Sequence, residues 1–385
     1  MGDIRDLAGV QSANLKNRKV LLRVDVNVPI EAGVVRDRTR IKRIIPTVEY
    51  LVQRGAKVLI ISHLGRPKQR DKELSLGQLR GVIAEELGRD VVFIADICDP
   101  TVPSVVDKLP WGAVVLLENL RFYAGEVANS AAFARALASL ADLYVNDAFS
   151  CSHRLHASVS AVSDILESFV GFNLQEELKY LSGITSERPA AAVIGGAKAA
   201  TKIPMLGNLA GKIDFLILGG GLANSFLAAA GYKVGSSLYE QKQQEVIEVM
   251  EVAKRSGCEL ILPKDHVVAT SLDGVSSART NCEIAPEDMI LDVGEQTAQV
   301  IEKTLSKCRT VFWNGPLGVF EKEAFSQGTA ALLKALSTRH KACNTQTIVG
   351  GGDSIFAMRS LGYREDDFTY VSTGGGALLH FLSIA

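Results

Sequence analysis

The 385-residue chain contains no run of 18 apolar residues, so nothing in it reads as a membrane-spanning helix. Its first residues, Met1-Gly-Asp-Ile-Arg-Asp6, lack the apolar stretch of a secretory signal. The cysteines, Cys98, Cys151, Cys258, Cys282, Cys308 and Cys343, are scattered and include no Cys-x-x-Cys pair. Such spacing indicates neither a disulfide frame nor a zinc site, and it points to reduced thiols in the cytoplasm. Charge of one sign is also lacking: the net value is −1, which gives no global attraction to nucleic acid or to an anionic membrane. Two common nucleotide signatures are missing. There is no Gly-x4-Gly-Lys-Ser/Thr, and Gly219-Gly-Gly-Leu-Ala-Asn224 carries asparagine where Gly-x-Gly-x-x-Gly needs its last glycine. Any nucleotide site must be built another way.

What remains is a core-forming sequence, 47% hydrophobic and 22% charged. Its length exceeds what one core supports, so two domains are expected. Short β-branched runs alternate with amphipathic stretches. In the first half the strand candidates are Lys19–Val26, Lys57–Ser62, Val91–Ile94, Ala113–Glu118 and Leu143–Asn146, with helices over Ile41–Arg54, Leu76–Leu87 and Ser130–Ala141. In the second half they are Ala191–Gly195, Phe215–Gly219, Glu259–Leu262, Thr310–Asn314, Thr347–Gly351 and Thr369–Ser372. Helices are expected over Lys202–Ala210, Gln241–Lys254, Glu295–Ser306 and Ala324–Ser337. This alternation predicts an α/β fold, mostly parallel sheets flanked by helices. Leu174–Glu187 reads as a connecting helix ended by Pro189. The expected division is residues 1–172, a connecting helix 173–188, and residues 189–385. No short-period repeat occurs.

In open parallel sheets, ligands bind beyond the C-terminal ends of the strands. In the first half those ends carry Arg23, Asp25, Asn27, His63, Arg66, Arg121, Asn146 and Asp147, followed by His153, Arg154 and His156. In the second half they carry Gly195-Gly-Ala-Lys198, Gly219-Gly-Gly221, Asn314-Gly-Pro316, Gly350-Gly-Gly-Asp353 and Ser372-Thr-Gly-Gly-Gly376. Guanidinium forks suit a small multiply charged anion. Glycine turns before helices suit a nucleotide, whose phosphates take bare N–H groups. Taken singly, each feature also has an ordinary explanation: a solvated basic run at Arg36–Arg43, a structural histidine, a surface lysine, a tight turn. Their common position at strand ends is what groups them.

Ten segments carry a resemblance over nearly the whole chain. They are Arg23-Val-Asp-Val-Asn-Val-Pro29, Thr39-Arg-Ile41, Ser62-His-Leu-Gly-Arg-Pro67, Glu118-Asn-Leu-Arg-Phe122, Asn146-Asp-Ala-Phe149, His153-Arg-Leu-His-Ala-Ser158, Gly195-Gly-Ala-Lys198, Trp313-Asn-Gly-Pro-Leu-Gly-Val-Phe-Glu321, Gly350-Gly-Gly-Asp-Ser354 and Ser372-Thr-Gly-Gly-Gly376. In this series the sequence resembles the phosphoglycerate kinases. The resemblance implies two Rossmann-like domains facing across a cleft. It implies reversible phosphoryl transfer between 1,3-bisphosphoglycerate and ADP, giving 3-phosphoglycerate and ATP, in glycolysis, gluconeogenesis or carbon fixation. By resemblance, Asp25, Asn27, Arg40, His63, Leu64, Gly65, Arg66, Arg121 and Arg154 bind the phosphoglycerate. Gly196, Lys198, Lys202, Gly219, Gly220, Gly294, Asn314, Val319, Glu321, Gly351, Gly352, Asp353 and Ser354 bind ADP or ATP, and Asp353 holds Mg²⁺ with the nucleotide phosphates. Arg40, Lys198 and the backbone of Gly374 and Gly375 act on the phosphoryl in transfer.

The carboxylate that receives the phosphoryl is ionised at pH 7, so this chemistry needs neutralised repulsion rather than a general base. Hinge closure about Leu174–Glu187 is expected, in a monomer without nucleic-acid or membrane partners. The alternative is an impaired relative that only binds nucleotide. Some positions depart from the family pattern. Ser150-Cys-Ser152 stands where Gly-Thr-Ala is usual, Glu176 where Lys is usual, and Glu295 where Pro is common. After Gly376 comes Ala377-Leu-Leu-His380 rather than Ala-Ser-Leu-Glu, and the sequence stops at Ala385 before the tail that in the family packs back on the first domain.

Overall fold

The structure is a computed structural model and describes residues 4–384. The chain divides into two compact units, Met1–Leu178 and Lys179–Ala385. The division falls inside the helix Phe172–Ser186.

The first unit is built on a six-stranded parallel sheet. Its order across the sheet is Val91–Ile94, Val114–Leu117, Lys57–Ile61, Lys19–Arg23, Leu143–Asn146 and Glu167–Val170. Val-, Ile- and Leu-rich strands covered on both faces are the reason these segments show no alternation: Lys57–Ile61 and Val114–Leu117 are buried at every position. The lysine at the head of the Lys57 strand is buried because its ammonium donates to Val106 O at 3.1 Å and Asp107 O at 2.7 Å, at the C-terminal end of the helix Val102–Lys108. Lys19–Arg23 lies centrally. The chain runs outward from it through Lys57–Ile61 on one side, then returns to its other side at Leu143–Asn146. That reversal opens a crevice at the ends of these three strands.

The second unit repeats the plan, ordered Glu259–Ile261, Phe215–Leu218, Ala190–Ile194, Thr310–Asn314, Gln346–Gly350 and Tyr370–Ser372, all parallel. Its reversal lies at Ala190–Ile194, between the strands ending in Leu218 and Asn314. A three-stranded antiparallel sheet, Asp265–Ala269, Ser277–Thr280 and Met289–Val293, is appended. The final helix, Gly376–Ile384, packs on Ala199–Ala210 in its own unit, where the Lys212 ammonium reaches Leu382 O at 3.3 Å. No helix among the described residues is long and apolar enough to cross a membrane.

Candidate active site

After Arg23 the chain leaves the sheet in extended form. Val24, Val26 and Val28 turn into the core, which leaves Asp25 and Asn27 half-buried on the other side. The Ser62 hydroxyl fixes this segment by donating to Val24 O at 2.8 Å and accepting from Val26 N at 3.2 Å. Asn27 Oδ1 then accepts from Gly65 N at 2.8 Å, joining the end of one strand to the loop after the next. Arg40 stands in the first turn of the helix Thr39–Gln53. Its Nη1 donates to Asp25 Oδ2 at 2.9 Å and to Asn27 O at 3.0 Å. Burial works against ionising Asp25, but Arg40, His63, Ser150 and Asn27 N outweigh it and hold the carboxyl below its ordinary range.

Around this lip lies a cluster of positive charge. Arg23 is fully buried; its Nε donates to Ser158 Oγ at 3.0 Å and its Nη2 meets His63 Nδ1 at 3.1 Å. A guanidinium can only donate, so His63 Nδ1 accepts and the ring proton sits on Nε2. Burial, then the charges of Arg23, Arg121 and Arg154, drives the His63 pKa well below its ordinary value, so the imidazole is neutral at pH 7. Arg121 donates to Gly65 O, and its own pKa is lowered by burial, then by Arg154, Arg23 and Arg66. Arg66 is exposed and Arg154 half-buried. The compensating acid is one step removed. Glu126 is buried, accepts from Ser158 N at 2.9 Å and Ser158 Oγ at 2.6 Å, and lies 3.6 Å from His156 Nδ1. Three guanidinium groups that disfavour the charge of a fourth, Arg121, make this lip chemically suited to an anion.

In the second unit the strand ends are tied by their loops. Gly195 N donates to Asn314 O at 3.0 Å, and Gly196 N donates to Pro316 O at 2.8 Å. A Cβ on Gly195 would fall 2.1 Å from Pro316 O, so this approach excludes any larger residue. Asn314 Nδ2 and the Ser354 hydroxyl both donate to Gly350 O at 2.8 Å, and Ser354 Oγ accepts from Gly315 N at 2.6 Å. Gly351, at φ +97°, turns the chain into the helix Gly352–Ser360. A cleft of about 210 Å³ results, lined by Gly196, Lys198, Lys202, Asn314, Gly351, Gly352, Asp353, Ser354 and Gly375 among others. Two helices, Ala199–Ala210 and Gly352–Ser360, begin at this lining and present their free N–H groups and dipoles there. The Lys202 ammonium donates to Gly195 O at 2.6 Å and Asn314 O at 3.3 Å. Burial lowers its pKa to about 8, with Asp353 opposing and Lys198 adding to the shift.

The structure brings together Asp25, Asn27, Arg40, His63, Leu64, Gly65 and Arg121 in the first unit, with Arg66 and Arg154 facing Arg121 electrostatically. In the second unit it gathers Gly196, Lys198, Lys202, Asn314, Gly351, Gly352, Asp353, Ser354 and Gly375 at one cleft. Gly219 and Gly220 join it indirectly: Gly220 N donates to Leu317 O at 3.0 Å, beside the Gly196–Pro316 bond. Gly294, Val319 and Glu321 do not line it. Gly294 caps the helix Glu295–Leu305, Val319 N donates to Leu291 O at 2.8 Å, and Glu321 is exposed. Gly374 is buried with its N–H on Ser372 Oγ at 3.0 Å, next to the lining residue Gly375.

Sequence reasoning placed Arg23 at a strand end without a role, noted Ser150 only as a departure from the family pattern, and gave no role to Asn119, Glu126 or Ser158. Asn119 clamps the His63 loop, donating to Leu64 O and Leu74 O at 2.8 Å and accepting from Arg121 N at 3.0 Å. It stands inside Glu118-Asn-Leu-Arg-Phe122, so the signal was present. Glu126 carries no local signal, because only the fold brings it to Ser158.

Comparison with known proteins bears on the whole chain. The family model described as Phosphoglycerate kinase matches residues 10–384. The chain belongs to the phosphoglycerate kinase family. Phosphoglycerate kinase from Wolbachia sp. subsp. Drosophila simulans (strain wRi) is 46% identical over 382 residues, covering 98% of this chain and 96% of that one. Phosphoglycerate kinase from Moorella thermoacetica is 45% identical over 379 residues, covering 97% and 95%. Among solved structures, phosphoglycerate kinase from Coxiella burnetii superposes with a TM-score of 0.87 at 37% identity, covering 98% of this chain and 96% of that one. Phosphoglycerate Kinase from Pyrococcus horikoshii OT3 gives 0.82 at 30%, with the same coverage. As a phosphoglycerate kinase family member, the chain is a phosphotransferase. Its reaction is reversible phosphoryl transfer between 1,3-bisphosphoglycerate and ADP, and a nucleotide is its co-substrate. Nothing favours an impaired relative.

Proposed function

We propose that the two half-sites divide the substrates of this reaction. The arginine cluster takes the 3-phosphate of 3-phosphoglycerate or 1,3-bisphosphoglycerate, and the glycine-lined cleft takes the nucleotide. The observation that carries this is Arg121, whose charge is disfavoured by burial and then by Arg154, Arg23 and Arg66, beside a neutral His63; a phosphate dianion relieves that charge surplus. His63 then donates from Nε2 as a neutral hydrogen-bond group. Asp25, held ionised, accepts from the substrate hydroxyl, while Asn27, Leu64 and Gly65 shape the loop beside it.

Across the nucleotide, the N–H groups at Gly352 and Asp353 and the ammoniums of Lys198 and Lys202 meet phosphate oxygens. On this reading the adenine and ribose extend past the lining of that cleft, with Gly196, Gly219, Gly220, Gly294 and Val319 bordering the adenine and Glu321 accepting from the ribose, while Asn314 and Ser354 hold the loop against the phosphate tail. Asp353 is the acid among the described residues lining the cleft, and one carboxylate completed by phosphate oxygens suits Mg²⁺. When bound there, Mg²⁺ supplies neutralisation of nucleotide charge. The accepting carboxylate needs no base. Arg40 and Lys198 offset its repulsion with the nucleotide, and the N–H groups of Gly375 and of Gly374, once released from Ser372 Oγ, hold the phosphoryl in transfer. The domains act as residues 1–172 and 189–385, with the intervening helix as the hinge that lets the ligands meet, and this closure excludes water. We place the protein in the cytoplasm as a monomer; its free cysteines suit a reducing compartment.

Isothermal titration tests the division. Arg154→Ala should weaken 3-phosphoglycerate binding roughly tenfold or more and leave ADP within about twofold, and Lys198→Ala should do the reverse. Loss of both ligands together in either variant would contradict separate half-sites.

A further inference from the structure

Asp25 is the hub of the phosphoglycerate half-site, and one of its partners comes from an element with no assigned role. Ser150 sits in the short turn Phe149–Cys151, just beyond the strand Leu143–Asn146, and its hydroxyl donates to Asp25 Oδ2. The same oxygen accepts from Arg40 Nη1 at 2.9 Å, while Asp25 Oδ1 accepts from Asn27 N at 2.9 Å. The turn that carries Ser150 is itself held in place. Ala148 N donates to Asn146 Oδ1 at 3.1 Å, Cys151 N to Ala148 O at 3.2 Å, and Ser152 Oγ to Ala148 O at 2.9 Å while accepting from Asn146 Nδ2 at 3.0 Å. A hydroxyl is therefore presented to the carboxylate from a fixed backbone, opposite the helix that brings Arg40.

We infer that Ser150 is a positioning residue for the phosphoglycerate reaction, fixing the orientation of Asp25 and, through it, of the Arg40 guanidinium. The inference rests on the proposed placing of Asp25 and Arg40 on the phosphoglycerate. Other titratable groups face Asp25 from the neighbouring elements: Arg23 from the central strand, the neutral His63 from the loop after the next one, and the Cys151 thiol from the turn itself. Among the described residues the hydrogen bonds to its oxygens come instead from Ser150, Arg40 and Asn27 N. Without the hydroxyl, Oδ2 depends on a long arginine side chain that must also serve the substrate. The carboxylate and guanidinium then gain freedom that binding must remove. The effect belongs to phosphoglycerate alone, because every group involved lies in the first unit.

The test is steady-state kinetics with both substrates varied, on Ser150→Ala and Ser150→Thr. We expect S150A to raise KM for 3-phosphoglycerate by roughly three- to tenfold, the size of one lost hydrogen bond, with kcat falling less and KM for Mg-ATP within about twofold. S150T keeps a hydroxyl and should restore the wild-type KM to within about twofold. An S150A enzyme with an unchanged KM for 3-phosphoglycerate would overturn the inference. So would equal rises in both KM values with a lowered Tm, or failure of threonine to rescue, since these mark a merely structural turn. Arg40→Ala, measured alongside, separates the two claims. If it leaves turnover of 3-phosphoglycerate intact, the site assignment fails and this inference with it; if it abolishes turnover while S150A is silent, only the inference fails.

Discussion

His63 shows how one residue's chemistry follows from its neighbours. Alone it is an ordinary imidazole. Buried against Arg23, with Arg121 and Arg154 nearby, it stays neutral where a free histidine is half protonated. That has a cost with a definite sign. The folded form takes up its proton only well below the ordinary pKa, whereas the unfolded chain takes it up near 6.5. Below that pH the unfolded state holds more protons, so stability falls as pH drops from about 6.5. Urea denaturation of the ligand-free protein at pH 8 and pH 5 should show this loss, on the order of 1 kcal/mol from this group. His63→Gln should reduce it by that amount. An unchanged pH dependence in His63→Gln would mean the ring is charged in the fold.

At the scale of elements, the site depends on where strands stop and helices begin. The turn Gly350-Gly-Gly352 shows the reason most clearly. Gly351 adopts φ +97°, and a Cβ there would lie 2.7 Å from Asn314 Nδ2, the group that donates to Gly350 O. Gly351→Ala should therefore destabilise the protein by about 1–3 kcal/mol and weaken ADP binding, while 3-phosphoglycerate affinity stays within about twofold. Thermal melting and two titrations check it; equal weakening of both ligands would argue that the turn acts on the fold alone. This turn was legible in the sequence, since a β-branched run, three glycines and a polar helix start all point the same way. So were the strands Lys57–Ile61, Leu143–Asn146 and Thr310–Asn314, whose apolar runs match full burial. Other elements were not. Glu167–Val170 is a four-residue edge strand with an exposed glutamate and no periodicity to read. Of the antiparallel strands, Ser277–Thr280 is half-exposed and polar, while Asp265–Ala269 and Met289–Val293 are short runs that mix buried apolar residues with the buried His266 and Asp292. The helix Gly220–Ala229 opens on glycines and is buried on most sides, which erases an amphipathic signature.

At the scale of the whole molecule, the proposed division has one architecture serving two kinds of anion. Both units place the candidate site residues where a parallel sheet reverses its direction of winding. In one, the strand ends deliver side-chain charge, through Arg23 and Arg121 beside the neutral His63. In the other, glycine turns at Gly196 and Gly351 lead into the N-termini of the helices Ala199–Ala210 and Gly352–Ser360, which supply their dipoles. Side-chain contacts across a sheet, such as Glu126 on Ser158 or Ser150 on Asp25, join residues 32 and 125 positions apart, and no local pattern announces them. The central claim is that catalysis here is charge neutralisation around a carboxylate acceptor, divided between two units. Coupled turnover with Mg-ATP and 3-phosphoglycerate, in wild type and Arg40→Ala, tests it most directly. Wild type should turn over only with all components present. Arg40→Ala should lose roughly 10²-fold or more in kcat while its ADP affinity stays within about twofold. Folded wild-type protein without turnover, or an Arg40→Ala enzyme that keeps its rate, would contradict the claim.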